Sequence, residues 1–254
     1  MKIFLLILNS LLLISVSGQV NPQPAAMVKI RGGSYIPLYS KDIQKTEVKG
    51  FEMDIYPVTN SDFLAFVKSN PEWSKSKAKS IFADSSYLKQ WNSDDSFNKK
   101  IAKSPVVNIS WFAAKKYCEC QGKRLPETAE WELAAKASET KADASKDPAF
   151  NQWVLNWVTK PSLSTLPSVG TTYKNFFGVY DLHGLVWEWT YDFNSALTTG
   201  ESRGNTSLDN TLFCGGGSFA SKDINNYASF MRFAMRSSVK AKYCVANLGF
   251  RCVK

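Results

Sequence analysis

The segment 27–38, MVKIRGGSYIPL, alternates apolar and polar residues about Gly32-Gly33, which predicts a strand, a tight turn and a second strand. Across 48–73 the period changes. VKGFEMD alternates as a strand does, Val58-Thr59-Asn60-Ser61 then supplies a helix start, and Phe63, Phe66 and Val67 fall on one helical face. Residues 74–103 are charged, polar and weakly patterned, and read as a long surface excursion. In 104–137 a strand over 106–109 leads into a helix capped by Ser110 and ending near Gly122, and Pro126-Glu127-Thr128 starts a second helix. Residues 138–175 read as mostly loop, and 178–193, 214–219, 229–238 and 247–254 as short strands and turns. The pattern predicts a mixed α+β chain with little regular secondary structure and no internal repeat.

Composition adds the size of the core and the compartment. With 254 residues, 44% of them hydrophobic and 13% aromatic, the chain can bury one core. Residues 1–18 carry Lys2, an apolar run from Ile3 to Val16 broken by Asn9 and Ser10, and small residues, the pattern of a secretory signal peptide. Residues 19–26 then form a short leader and 27–254 one domain. No other stretch approaches the roughly 20 apolar residues of a membrane span, so the expectation is an exported, periplasmic or secreted protein. The formal charge is +9, but lysines cluster in Ser/Ala-rich stretches such as 74–80 and 136–147, often beside acidic residues. That distribution describes a solvated surface, not a nucleic-acid site. Cys118, Cys120, Cys214, Cys244 and Cys252 are disulfide candidates in an exported chain, and an odd number leaves one over. His183 is the only histidine, which excludes any multi-histidine metal site.

Five blocks, in order, carry a resemblance. MVKIRGGSY, FEMDIYPVTNSDFLAFV, PVVNISWFAAKKYCECQGKRLPETAEWELAAK, NFFGVYDLHGLVWEWTYD, and GGGSF followed by RFAMRSS and NLGFRC resemble the formylglycine-generating enzyme (sulfatase-modifying factor) family over residues 27–254. The resemblance implies a C-type lectin-like α+β fold. It leaves function open, because the family includes a copper-dependent oxidase that converts a sulfatase cysteine to formylglycine, iron-dependent sulfoxide synthases and non-catalytic members.

The resemblance also assigns roles to residues. The oxidase holds Cu(I) on two thiolates, soft ligands that suit that ion. Their positions fall at about Ser221 and Ala228, and residues 215–243 contain no cysteine. Copper is therefore not expected. The resemblance pairs Cys118 with Cys252. Cys214 and Cys244 are left as a second disulfide or, alternatively, a replacement metal site, and Cys120 as a half-buried free thiol. Glu188 is a candidate calcium ligand, although Leu185 replaces the usual asparagine of its block, and the alternative is a buried carboxylate paired with Arg232, Arg236 or Arg251. Asn156 resembles part of a second calcium site whose acidic loop is missing. Ser218, Arg232 and Arg236 correspond to the groove that receives a peptide, or they hold the C-terminal core together. His183 is expected to make a structural hydrogen bond. The functional expectation is a non-catalytic protein of the cell envelope that binds a peptide or protein partner. The alternative is a formylglycine-generating oxidase acting on a protein cysteine with displaced ligands.

Overall fold

The computed structural model describes residues 25–35, 45–161, 163–194 and 224–254. Its first elements are four short strands: β1 (Met27–Ile30), β2 (Gly33–Tyr35), β3 (Thr46–Val48) and β4 (Phe51–Asp54). β1 pairs antiparallel with β4, Met27 opposite Asp54, and β2 pairs antiparallel with β3, Gly33 opposite Val48. Gly32 lies at the crossing of the two hairpins, where a Cβ would approach the Val48 carbonyl oxygen to 2.7 Å. The predicted strand, turn and strand over 27–38 are present as β1 and β2 through Tyr35, but the two strands bond to different partners.

Helix α1 (Asn60–Ser69) begins where its residues predict. Thr59 accepts from the Asp62 amide at 3.2 Å, and the Asp62 carboxylate accepts from the Thr59 amide at 3.0 Å, a reciprocal cap on two otherwise unpaired donors. Helix α2 (Trp111–Cys120) is capped by Ser110, and Gly122, at φ 66°, takes the left-handed turn that ends it. Helix α3 (Thr128–Ala135) opens with Glu127 and Glu130 in the same reciprocal arrangement.

Three expectations are corrected. Residues 106–109 form no strand; Thr59 and Pro105 make only an isolated bridge. The loop expected over 138–175 contains helix α4 (Pro148–Val158), capped by Asp147. Residues 229–238, expected as strand and turn, belong to helix α5 (Ile224–Ser238), which packs against α4. The stretch 74–103 is also more than surface, because its turns bury Ala83, Tyr87, Leu88 and Trp91. The Trp91 indole donates to the Asn60 side chain at 2.8 Å.

The remaining pair is β5 (Trp187–Glu188) and β6 (Leu248–Gly249), parallel, with Trp187 opposite Leu248. Beside a minor cluster of Val107, Leu185 and Val186, two main buried clusters lie around these elements. In the larger, Phe63 packs on Phe66, Tyr117, Trp91 and Phe250 with ring centroids 5.2 to 6.3 Å apart. The smaller joins Ile30, Phe51 and Met53 of the hairpins to Trp131 and Leu133 of α3. Val253 belongs to it as well. It exchanges backbone hydrogen bonds with Arg124 at 2.8 and 2.9 Å, while Lys254 exchanges them with Glu52 at 2.9 Å. The disulfide Cys118–Cys252 joins α2 to this segment across 134 residues of sequence.

Candidate functional site

Trp131 and Glu132 are neighbours on α3, so their side chains leave the helix in different directions and reach two different buried ion pairs. The Trp131 indole donates to Glu188 Oε2 at 2.7 Å. Glu188 also faces Arg251, whose Nη2 donates to Oε1 at 2.7 Å and whose Nε donates to Oε2 at 2.9 Å. Both side chains of that pair are fully buried. Arg251 further donates to the carbonyl oxygens of Asp54 and Tyr180, at 3.1 and 2.8 Å. Of the three arginines the sequence leaves open as partners of Glu188, the fold selects Arg251.

This arrangement does not fit calcium. A calcium ion needs several oxygen donors converging on it, whereas the Glu188 oxygens are turned toward a guanidinium and an indole N–H, both hydrogen-bond donors. Of the two readings of Glu188, these contacts are those of the buried carboxylate paired with an arginine. Asn156 stands on the exposed side of α4 and accepts from Gln152 Nε2 at 2.9 Å, one turn away on the same helix.

Glu132 is the centre of the second pair. Arg232 donates to it through Nε at 2.9 Å and Nη2 at 2.8 Å, and Arg236 through Nη1 at 2.7 Å. Arg232 and Arg236 are one turn apart on α5, so both guanidinium groups fall on the face turned to α3. In the structure these arginines tie α5 to α3. Arg236 also lies over the Trp131 ring, 5.0 Å from its centroid. Burial would raise the Glu132 carboxyl, but the two guanidinium charges override it and hold the group down to about 2.

A pH dependence follows from this. The folded value lies below the roughly 4.3 of an unfolded glutamate, so the stabilisation is complete above about pH 4.3 and is lost as pH falls toward 2. The loss is on the order of 3 kcal/mol. Denaturant midpoints measured through that interval should fall for the wild type. Glu132→Gln should start less stable and lose less; an equal loss in both would rule out Glu132 as the group responsible.

His183 is buried beside this cluster. Its Nε2 lies 3.0 Å from the Ala135 carbonyl oxygen, and Trp131, Trp157 and Tyr173 surround its ring. Burial, with the Arg232 charge behind it, pushes the imidazole down to about 3 and keeps it neutral. Ala228 is buried in α5 one turn before Arg232, on the face that meets Glu132. Ser218, Ser221 and Cys214 lie outside the described residues. Among the described residues Cys244 is a buried free thiol, and Cys120 is free and exposed, not half-buried.

The residue pattern missed a cavity of about 540 Å³ between α4, the connection after it and residues 184–187. Trp153, Trp157 and Trp187 contribute three indoles to it. The 3- and 4-residue spacing of Phe150, Trp153, Val154 and Trp157 behind Asp147-Pro148 is the signal that could have found its helical wall.

Short hairpins, turn-rich connections and a core closed by buried ion pairs define a mixed α+β domain with modest regular structure. The chain belongs to the sulfatase-modifying factor family: the model of the "Sulfatase-modifying factor enzyme 1-like domain" matches residues 15–254. Among similar proteins, the formylglycine-generating enzyme of Mus musculus is 28% identical over 256 residues, covering 82% of this chain and 67% of that protein. The "Inactive C-alpha-formylglycine-generating enzyme 2" of Bos taurus is 27% identical, covering 67% of this chain and 71% of its own. The serine/threonine-protein kinase pkn1 of Chlamydia caviae is 31% identical over 185 residues, covering 69% of this chain but only 29% of the kinase. The chain thus spans under a third of that relative. The solved structure of CarF has the same fold, with a TM-score of 0.50 at 16% identity, covering 91% of this chain and 98% of CarF. The family holds active formylglycine-generating enzymes and inactive variants alike.

Proposed function

We propose that this chain is a non-catalytic member of the family, exported to the cell envelope, where it binds a peptide or protein partner. The observation that carries the reading is Ala228. Where the resemblance places the second copper-binding cysteine, the chain has a buried methyl group on the α5 face that meets Glu132. No cysteine occurs from 215 to 243 to take its place.

Cys244 is a poor substitute. Burial and the nearby Asp84 charge push its thiol up to about 12, so it stays protonated at neutral pH, whereas a copper ligand is a thiolate. An inactive relative supports the non-catalytic reading, and the fold retains the framework that a binding protein needs.

Anaerobic titration with Cu(I), followed by metal analysis, tests the proposal. No stoichiometric copper should be retained, and a sulfatase-type cysteine peptide should be left unconverted. Near-stoichiometric copper that is lost in Cys244→Ser or Cys214→Ser would favour the oxidase with displaced ligands. Capture from envelope extracts, with the signal region replaced by a tag, would then identify the partner.

A further inference from the structure

The cavity beside α4 shares no residue with the buried ion pairs. We propose that it binds a small organic acid built on an apolar aromatic ring, with the indoles taking the ring and Lys160 taking the acid.

The volume of about 540 Å³ lies within the range of roughly 300–1,000 Å³ of small-ligand sites. Most of the side chains around it are apolar. Trp157 and Trp187 meet with ring centroids 5.1 Å apart and planes inclined at 45°, Trp153 packs on Tyr173, and Leu163, Leu166 and Leu185 complete the lining. Two of these large hydrophobic side chains remain exposed, Trp153 at 37% and Leu163 at 64%. An apolar ligand would take that surface out of water. The tilted indole planes favour a flat ring, which adds ring-to-ring contact and loses less freedom on entering than a flexible chain does.

The polar groups of the wall are largely in use already. The Thr172 hydroxyl lies 2.8 Å from the Asp181 carboxylate and 3.0 Å from the His183 carbonyl oxygen, both acceptors, so its one hydrogen is taken. Asp181 itself is buried outside the lining, where it also accepts from the Gly170 and Thr172 amides. Asn247 has a partner within the protein, and Asn156 Oδ1 accepts from Gln152. A hydroxyl-rich ligand would give up water for a wall with few groups to replace it. Lys160 is the exception: it is exposed, and it carries the only charge among the described residues of the wall. A cation, which indole faces could otherwise hold, would meet repulsion there, and an acidic group would meet its complement.

Calorimetry on the full chain with naphthoate, naphthalenemethanol, naphthylmethylammonium and decanoate tests this. Naphthoate should bind the most tightly of the four and shift indole N–H signals in NMR spectra, that of Trp153 being identified by its loss in Trp153→Phe. Lys160→Gln should weaken naphthoate about fivefold and leave the alcohol unchanged. Leu163→Glu, at an exposed position, should weaken naphthoate and strengthen the ammonium compound with the melting curve unchanged. No binding of naphthoate at millimolar concentration would overturn the site. The alcohol or the ammonium compound bound as tightly as naphthoate, or naphthoate indifferent to Lys160→Gln, would overturn the acidic assignment. Decanoate bound as tightly as naphthoate would overturn the aromatic one.

Discussion

Glu188→Gln should lower the free energy of unfolding by about 3–5 kcal/mol, the loss typical when one partner of a buried ion pair is removed. The Asp54 carboxylate, which also feels the Arg251 charge, is held by Lys123 at 2.6 Å. Arg251 is fully buried, and its other contacts are carbonyl oxygens that solvate the guanidinium without neutralising it. The amide of a glutamine would also turn N–H groups toward an existing donor. The loss should be the same in calcium and in chelator, because the carboxylate serves the arginine. Glu188→Gln combined with Arg251→Met should recover part of the stability, since an uncharged pair leaves no buried charge behind. Urea midpoints of the three proteins decide the matter. Stability regained on adding calcium to Glu188→Gln, or a loss below about 1 kcal/mol, would contradict the assignment.

Removing the Cys118–Cys252 bond should cost a comparable amount. The bond closes a loop of 134 residues, for which the chain-entropy account gives up to about 5 kcal/mol, and 2–5 kcal/mol is the usual measured range. Cys118→Ala with Cys252→Ala should therefore melt well below the wild type. Reductant should bring the wild type down to the level of the double variant and leave that variant unchanged. A wild type indifferent to reductant while still reacting with thiol reagents at both positions would refute the assignment.

Much of the local structure was legible in the sequence, because caps and alternation are local signals. Thr59 with Asp62 and Pro126-Glu127-Thr128 each mark a helix start through groups a few residues apart, and Ser110 and Gly122 mark the two ends of α2. The misses have two causes. Residues 229–238 read as short strands and turns yet belong to α5, whose four-residue period, Ala228, Arg232 and Arg236, serves an ion pair and not a hydrophobic face. Leu88 and Trp91 are buried from turns, which have no period to detect.

The site was less legible for a different reason. Glu188 had three arginines as candidate partners, and the choice of Arg251, 63 residues away, depends on β5 and β6 lying side by side. Glu132 had no signal at all. Its partners are about 100 residues further along, and only the fold, which packs α5 on α4 within reach of α3, brings them together.

The placement of residues 250–254 bears on how the chain acquires its fold. Phe250 is packed in the larger cluster, Arg251 closes the ion pair with Glu188, Cys252 holds the disulfide, and Val253 lies between β4 and Arg124. The centre of the molecule is thus completed by residues synthesised long after the hairpins and helices they join. Such long-range closure slows folding. A chain still emerging from a ribosome can begin its capped helices, but both clusters must remain open until this segment arrives.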